Sequence, residues 1–120
     1  MAKRILFAED DVMLREIAEG TLSDEEYEVI SVENGMQAWE IYQKQKSRLS
    51  ILFTDIGMPV MSGLELIEKV RQDNPNFPIV AYTANPRDVL EAKKKGANYV
   101  LQKPCDADEL FKALEKALMD

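Results

Sequence analysis

Short apolar runs alternate along this chain with longer stretches in which apolar residues recur every three or four positions. Arg4 to Ala8 carries Ile5, Leu6 and Phe7 in succession and predicts a buried strand. Val12 to Leu22 places Leu14, Ile17, Ala18 and Leu22 at helical spacing. Tyr27 to Val32 predicts a second strand. After Asn34-Gly35, Met36 to Lys46 predicts a helix with Ala38, Trp39 and Tyr42 available for one face. Leu49 to Thr54 is the third predicted strand. Ser62-Gly63-Leu64-Glu65 has the form of a capping box, opening a helix that carries Leu64, Ile67 and Val70 and ends between Pro75 and Pro78. Ile79 to Tyr82 is the fourth strand. Asn85-Pro86 predicts a helix start, with the asparagine as cap and the proline at the first helical position, and Gly96 closes that helix. Tyr99 to Leu101 is the fifth strand. Asp106, with Glu109 three residues on, caps a last helix that turns Leu110, Ala113, Leu114 and Ala117 inward.

Five strand-then-helix units with solidly apolar strands predict an α/β fold: a parallel sheet covered by helices on both faces, with right-handed crossovers. No repeat, low-complexity segment or linker interrupts the pattern, so residues 1–120 read as a single domain. Ligands of such sheets bind beyond the carboxyl ends of the strands. That rule says where chemistry should be sought.

The residues at those ends are polar and mostly acidic. Glu9, Asp10 and Asp11 follow strand one, Asp55 follows strand three, Thr83 follows strand four, and Lys103 follows strand five after Gln102. Each has an ordinary reading: acids after strands cap helices, Asp55 could be a turn residue, Thr83 a cap or core hydroxyl, and Lys103 a solvated surface lysine. Taken together they are harder to explain by caps and turns, because no structural rule asks for all of them at one edge. Carboxylates crowded there repel one another, and a hard divalent cation with oxygen ligands, Mg²⁺ above all, relieves that repulsion. Asp55 could then serve as a nucleophile, with Lys103 neutralising charge and Thr83 donating a hydrogen bond.

Composition narrows the classes further. A formal net charge of -7 and the lack of a basic stripe argue against direct nucleic-acid binding. The run Lys93-Lys94-Lys95 reads as a solvated helix end. With no histidine, His-based metal sites and His general bases are excluded. Cys105 is the one cysteine, which rules out an internal disulfide and fits a reducing, cytoplasmic setting; its ordinary role is that of a small buried hydrophobe. No signal peptide is apparent, and no apolar stretch approaches the ~20 residues that span a membrane.

The stretches Ile5-Leu6-Phe7-Ala8-Glu9-Asp10-Asp11, Leu52-Phe53-Thr54-Asp55-Ile56-Gly57-Met58-Pro59-Val60-Met61-Ser62-Gly63, Ala81-Tyr82-Thr83-Ala84 and Lys103-Pro104 are similar to the receiver domains of two-component response regulators, the CheY-like group. The second stretch is the specific one; the others add order and spacing. The resemblance covers the chain from Arg4 to the last helix. It implies a flavodoxin-like (βα)5 fold with strand order 2-1-3-4-5, an order for which CheY is a standard example. It also implies that Asp55 accepts a phosphoryl group from the phosphohistidine of a histidine kinase or phosphotransfer protein. By the same resemblance Asp10 and Asp55 hold Mg²⁺ directly, Glu9 through water, and the backbone carbonyl of Gly57 completes the protein ligands. Thr83 and Lys103 contact the phosphoryl group, and Lys103-Pro104 is expected to be cis. Such a domain is not a turnover enzyme: it catalyses only its own phosphotransfer and dephosphorylation, and by changing shape it controls an output domain or downstream protein. A monomer is expected when it is unphosphorylated.

The sequence departs from the family at a few positions. Glu9 stands where aspartate is common. Counting from Gly96, Val100 occupies the position of the usual switching aromatic ring, with Tyr99 one place earlier and facing the other side of the strand unless a bulge intervenes. Two rival classes stay open. A phosphatase with an aspartyl-phosphate intermediate would need a second acid near Asp55, where Ile56 and Gly57 stand instead. A receiver-like module that is never phosphorylated would not need the acid, threonine and lysine set.

Overall fold

The computed structural model describes residues 3–25 and 27–119. Five strands and five helices alternate: β1 (Arg4–Ala8), α1 (Val12–Asp24), β2 (Glu28–Val32), α2 (Gly35–Gln45), β3 (Ile51–Asp55), α3 (Gly63–Asp73), β4 (Ile79–Thr83), α4 (Arg87–Lys95), β5 (Tyr99–Gln102) and α5 (Ala107–Met119). All strand pairs are parallel, in the order β2-β1-β3-β4-β5. The parallel sheet is the one expected from the strand pattern, and its doubly wound flavodoxin-like order is the one the family resemblance implied. None of the described helices is long and apolar enough to cross a membrane.

Strand alternation divides the core in two. Leu6, Ala8, Leu52, Ile79 and Ala81 point to one face and pack with Ala38, Tyr42, Leu66, Ile67, Val70 and Ala92 of α2, α3 and α4. Ile5, Phe7, Ile51, Phe53, Val80 and Tyr82 point to the other face, against Leu22 of α1 and Leu110, Ala113, Leu114 and Ala117 of α5. Each fully buried large side chain contributes roughly 1.5–3 kcal/mol relative to exposure, so β1, β3 and β4 form the rigid centre. β2 and β5 are the edges and keep partly exposed residues.

The helix ends follow local chemistry. Asp11 caps α1 by accepting from Leu14 N–H at 3.1 Å. Ser62 caps α3, accepting from Glu65 N–H at 3.2 Å. At α5 the box is reciprocal: Asp106 accepts from Glu109 N–H at 2.8 Å, and Glu109 accepts from Asp106 N–H at 3.4 Å. The start of α4 differs by one position from the sequence reading. Pro86 is itself the cap residue, with helical backbone angles, and makes no side-chain cap bond. Asn85 still serves the end, its amide oxygen accepting from Arg87 N–H at 3.0 Å. At the other end Gly96 has φ 123°, a conformation natural to glycine.

α1 buries less than its spacing suggests. Of its apolar residues only Leu22 is fully enclosed, while Val12, Met13, Leu14 and Ile17 remain exposed.

Candidate functional site

The parallel register brings the ends of the central strands level. Ala8 pairs with Thr54, Asp55 with Tyr82, and Thr83 with Gln102. Three backbone bonds carry that alignment beyond the strands: Glu9 N–H to Val32 O at 3.1 Å, Ile56 N–H to Tyr82 O at 3.2 Å, and Lys103 N–H to Thr83 O at 2.8 Å. Gly63 closes the loop after β3. A Cβ there would lie 2.0 Å from the Asp55 carbonyl oxygen, so only glycine lets α3 begin so close to the strand.

Glu9, Asp10 and Asp55 meet at this edge. Each offers a carboxylate oxygen, and these oxygens lie within 4.8 Å of one another. Glu9 and Asp55 are buried and Asp10 is exposed. Lys103 reaches in from the end of β5, its Nζ 3.1 Å from Glu9 Oε1 and 3.3 Å from Asp55 Oδ2. The Lys103-Pro104 peptide is cis, as the resemblance implied. Gly57 lies exposed two residues past Asp55.

Burial pushes the Asp55 carboxyl up to about 6; the nearby Glu9 charge adds to the rise, and Lys103 opposes it. Burial would also raise Glu9, but hydrogen bonds from Tyr82, the Asp11 N–H and Lys103 win, and its pKa is held below the ordinary value. Asp10 is raised, by loss of solvent first and then by Glu9. For Lys103, desolvation is outweighed by the Asp55 and Glu9 carboxylates, and its pKa rises. The site therefore holds a charged lysine among carboxylates that cannot all ionise comfortably, and a cation would relieve the crowding. Three hard oxygen donors so close together suit Mg²⁺.

Thr83 is buried at the same edge but turned toward α4. Its hydroxyl donates to Asp88 Oδ2 at 3.2 Å and accepts from Asn85 N–H at 3.0 Å. Of the acids after β1, Asp11 takes the helix cap, which leaves Glu9 and Asp10 for the cluster. Cys105 is half-buried and lines an apolar cavity of about 200 Å³ with Leu14, Ile17, Phe53, Tyr82 and Leu110; it is less enclosed than its reading as a small core residue suggested. Val100 joins the α3/α4 side of the core and Tyr99 the α5 side, so the two side chains take opposite faces of β5, as counting from Gly96 implied.

Sequence reasoning missed Tyr82 and Asp88. The Tyr82 hydroxyl donates to Glu9 Oε1, and Lys103 Nζ sits 4.4 Å from the centre of its ring. One signal was available. Glutamate in place of aspartate after β1 has a longer reach, and a buried carboxylate needs donors along that reach.

The sequence matches the response regulator receiver domain family over residues 5–115. The chain belongs to that family. It is 36% identical over 120 residues to the chemotaxis protein CheY1 of Helicobacter pylori, a match covering 96% of each chain. Among solved structures, chemotaxis response regulator CheY4 of Vibrio cholerae superimposes with a TM-score of 0.84 at 30% identity, covering 98% of this chain and 99% of that one. A receiver domain protein of Clostridium thermocellum shares the fold with a TM-score of 0.92 at 22% identity, covering 98% and 94%.

Proposed function

We propose that Asp55 is the phosphoacceptor of this receiver domain and takes its phosphoryl group from the phosphohistidine of a histidine kinase or phosphotransfer protein. The observation that carries this reading is the buried Asp55 carboxylate with the Lys103 ammonium 3.3 Å away and two further acids beside it. An Asp55 oxygen attacks phosphorus; the P–N bond breaks, and the departing imidazole keeps the electron pair and leaves neutral, with the proton its ring already carries. Lys103 stays within reach of the acceptor and offsets charge on the transferring group. Asp10, Asp55 and Glu9, with the Gly57 carbonyl, would hold Mg²⁺, which would supply further positive charge beside the transferring group.

The product carries about -1.5 to -2 charge. Thr83 then exchanges its Asp88 partner for a phosphoryl oxygen and draws the loop from Ala84 to Arg87 with it. One charge-assisted hydrogen bond contributes about 1.5–3 kcal/mol, whereas reversing a 1:99 population takes about 5.5 kcal/mol. Lys103 must therefore share the work, and a bound cation would add to it. Asp55 is followed by buried Ile56 and by Gly57, which bring no second acid, and this favours a domain whose chemistry is confined to its own Asp55 over a phosphatase. In this reading residues 1–120 act as one receiver unit, cytoplasmic and monomeric before phosphorylation, which passes its signal to an output domain or a downstream protein. The test is incubation with acetyl phosphate and Mg²⁺ followed by intact mass spectrometry. Wild type should gain one phosphoryl group and Asp55→Asn none; equal labelling of the two would overturn the assignment.

A further inference from the structure

Resting on that reading, we infer that Tyr82 is a positioning residue for phosphoryl transfer, setting Glu9 and Lys103 against Asp55. Tyr82 is anchored from below. Its ring packs against Phe53 at 4.7 Å and Phe7 at 6.3 Å, and Phe7 and Phe53 stack on each other at 4.9 Å. This aromatic floor fixes where the hydroxyl points. The hydroxyl donates to Glu9 Oε1, the oxygen that also accepts from Lys103 Nζ at 3.1 Å, while Glu9 Oε2 accepts from Asp11 N–H at 3.1 Å. Both oxygens of a fully buried carboxylate thus carry protein donors. The Lys103 ammonium lies over the same ring. Tyr82 therefore touches both members of the Glu9–Lys103 pair, and the lysine is shared between Glu9 and Asp55 instead of being captured by Glu9.

The hydroxyl makes a specific difference. Without it, Glu9 Oε1 has Lys103 as its remaining side-chain donor. The lysine moves toward Glu9 and away from the phosphoacceptor, and more of the Asp55 negative charge is left for a cation. Tyr82→Phe should then bind Mg²⁺ more tightly, by roughly threefold, yet accept phosphoryl groups from acetyl phosphate about tenfold more slowly at saturating Mg²⁺. A simple loosening of the core would weaken both together.

The experiment measures Mg²⁺ affinity by calorimetry and phosphorylation rate by mass spectrometry for wild type, Tyr82→Phe, Glu9→Gln and the double variant. Opposite signs in the two readouts for Tyr82→Phe, with no further change when it is added to Glu9→Gln, are the expected result. Parallel losses, no change, or additive effects in the double variant would overturn it. A measurement on the unaltered chain keeps the test independent of how Tyr82→Phe folds. With ring-carbon-labelled tyrosine, the Tyr82 Cζ resonance should stand apart from those of the other tyrosines and move on Mg²⁺ addition; a resonance that does neither would also overturn the assignment. Wild-type labelling that Asp55→Asn lacks is the control, and its failure removes the proposed function, whereas a sound control with unsplit readouts removes the role of Tyr82 alone.

Discussion

Lys103 Nζ lies 3.3 Å from Asp55 Oδ2, although β3, which ends in Asp55, and β5, which Lys103 follows, are separated in the sheet by β4. The contact places a cation at a buried carboxylate whose charged form burial disfavours. It does not fully compensate, because Lys103 is shared with Glu9 and the Asp55 carboxyl is still pushed up to about 6.

Stability without metal should reflect this. As pH rises from about 4, the unfolded chain releases the Asp55 proton before the folded chain does, so the folded state loses stability until about pH 6 and no further above it. That displacement corresponds to about 3 kcal/mol as an order of magnitude. In chelator, Asp55→Asn should match wild type near pH 4 and exceed it by up to that amount at pH 7. Urea unfolding across this range checks it; a difference that does not vary with pH would contradict the burial argument.

Asp10 differs from Asp55 in being exposed, with a pKa raised first by its modest desolvation and then by Glu9. Asp10→Ala should lower Mg²⁺ affinity by at least about tenfold, since it removes one of three clustered carboxylates. In chelator the same variant should be slightly more stable than wild type, an advantage that disappears as Mg²⁺ is added and stabilises wild type more. Calorimetry and thermal unfolding measure both effects, and unchanged Mg²⁺ affinity would remove Asp10 from the site.

The strands and most helix ends were legible in the sequence because their causes are local. Solid apolar runs give the strands, and Ser62, Asp106 and Gly96 act within a few residues of themselves. The edge location of Glu9, Asp10, Asp55, Thr83 and Lys103 followed from the topology. Their partners did not. Tyr82 and Glu9 are 73 residues apart, and period-two patterning assigns Tyr82 only to the core. Thr83 could be placed at the edge, but its engagement with Asp88 depends on how α4 enters, where the cap reading was one residue off.

That engagement makes Asp88 a competitor for the Thr83 hydroxyl. Asp88→Ala should strengthen beryllofluoride binding by several-fold, because the hydroxyl is released beforehand. In NMR spectra of wild type, beryllofluoride should shift Ala84 and Asn85 strongly and leave the Tyr99 ring quiet, since Val100 faces the α3/α4 side of β5 and Tyr99 the other. A large Tyr99 ring change would contradict this loop-centred switch.

Val60 adopts φ 69°, a left-handed conformation that is unfavourable for a β-branched residue, and the residue is 79% exposed. The conformation costs about 1–2 kcal/mol, while glycine adds about 0.5–1 kcal/mol of chain entropy to lose. Little burial is forfeited on truncation. Val60→Gly should therefore stabilise the fold by roughly 0.5–1 kcal/mol in urea unfolding, and destabilisation would show that the loop after β3 is not strained.

Three acids offer oxygens within 4.8 Å of one another, and Asp55 alone among them should receive the phosphoryl group. Borohydride reduction of the acetyl-phosphate-treated protein, followed by peptide sequencing in a mass spectrometer, converts a phosphorylated aspartate into homoserine in place. Homoserine is expected at position 55 alone, dependent on Mg²⁺. A reduced residue at position 9 or 10, or none at 55, would contradict it.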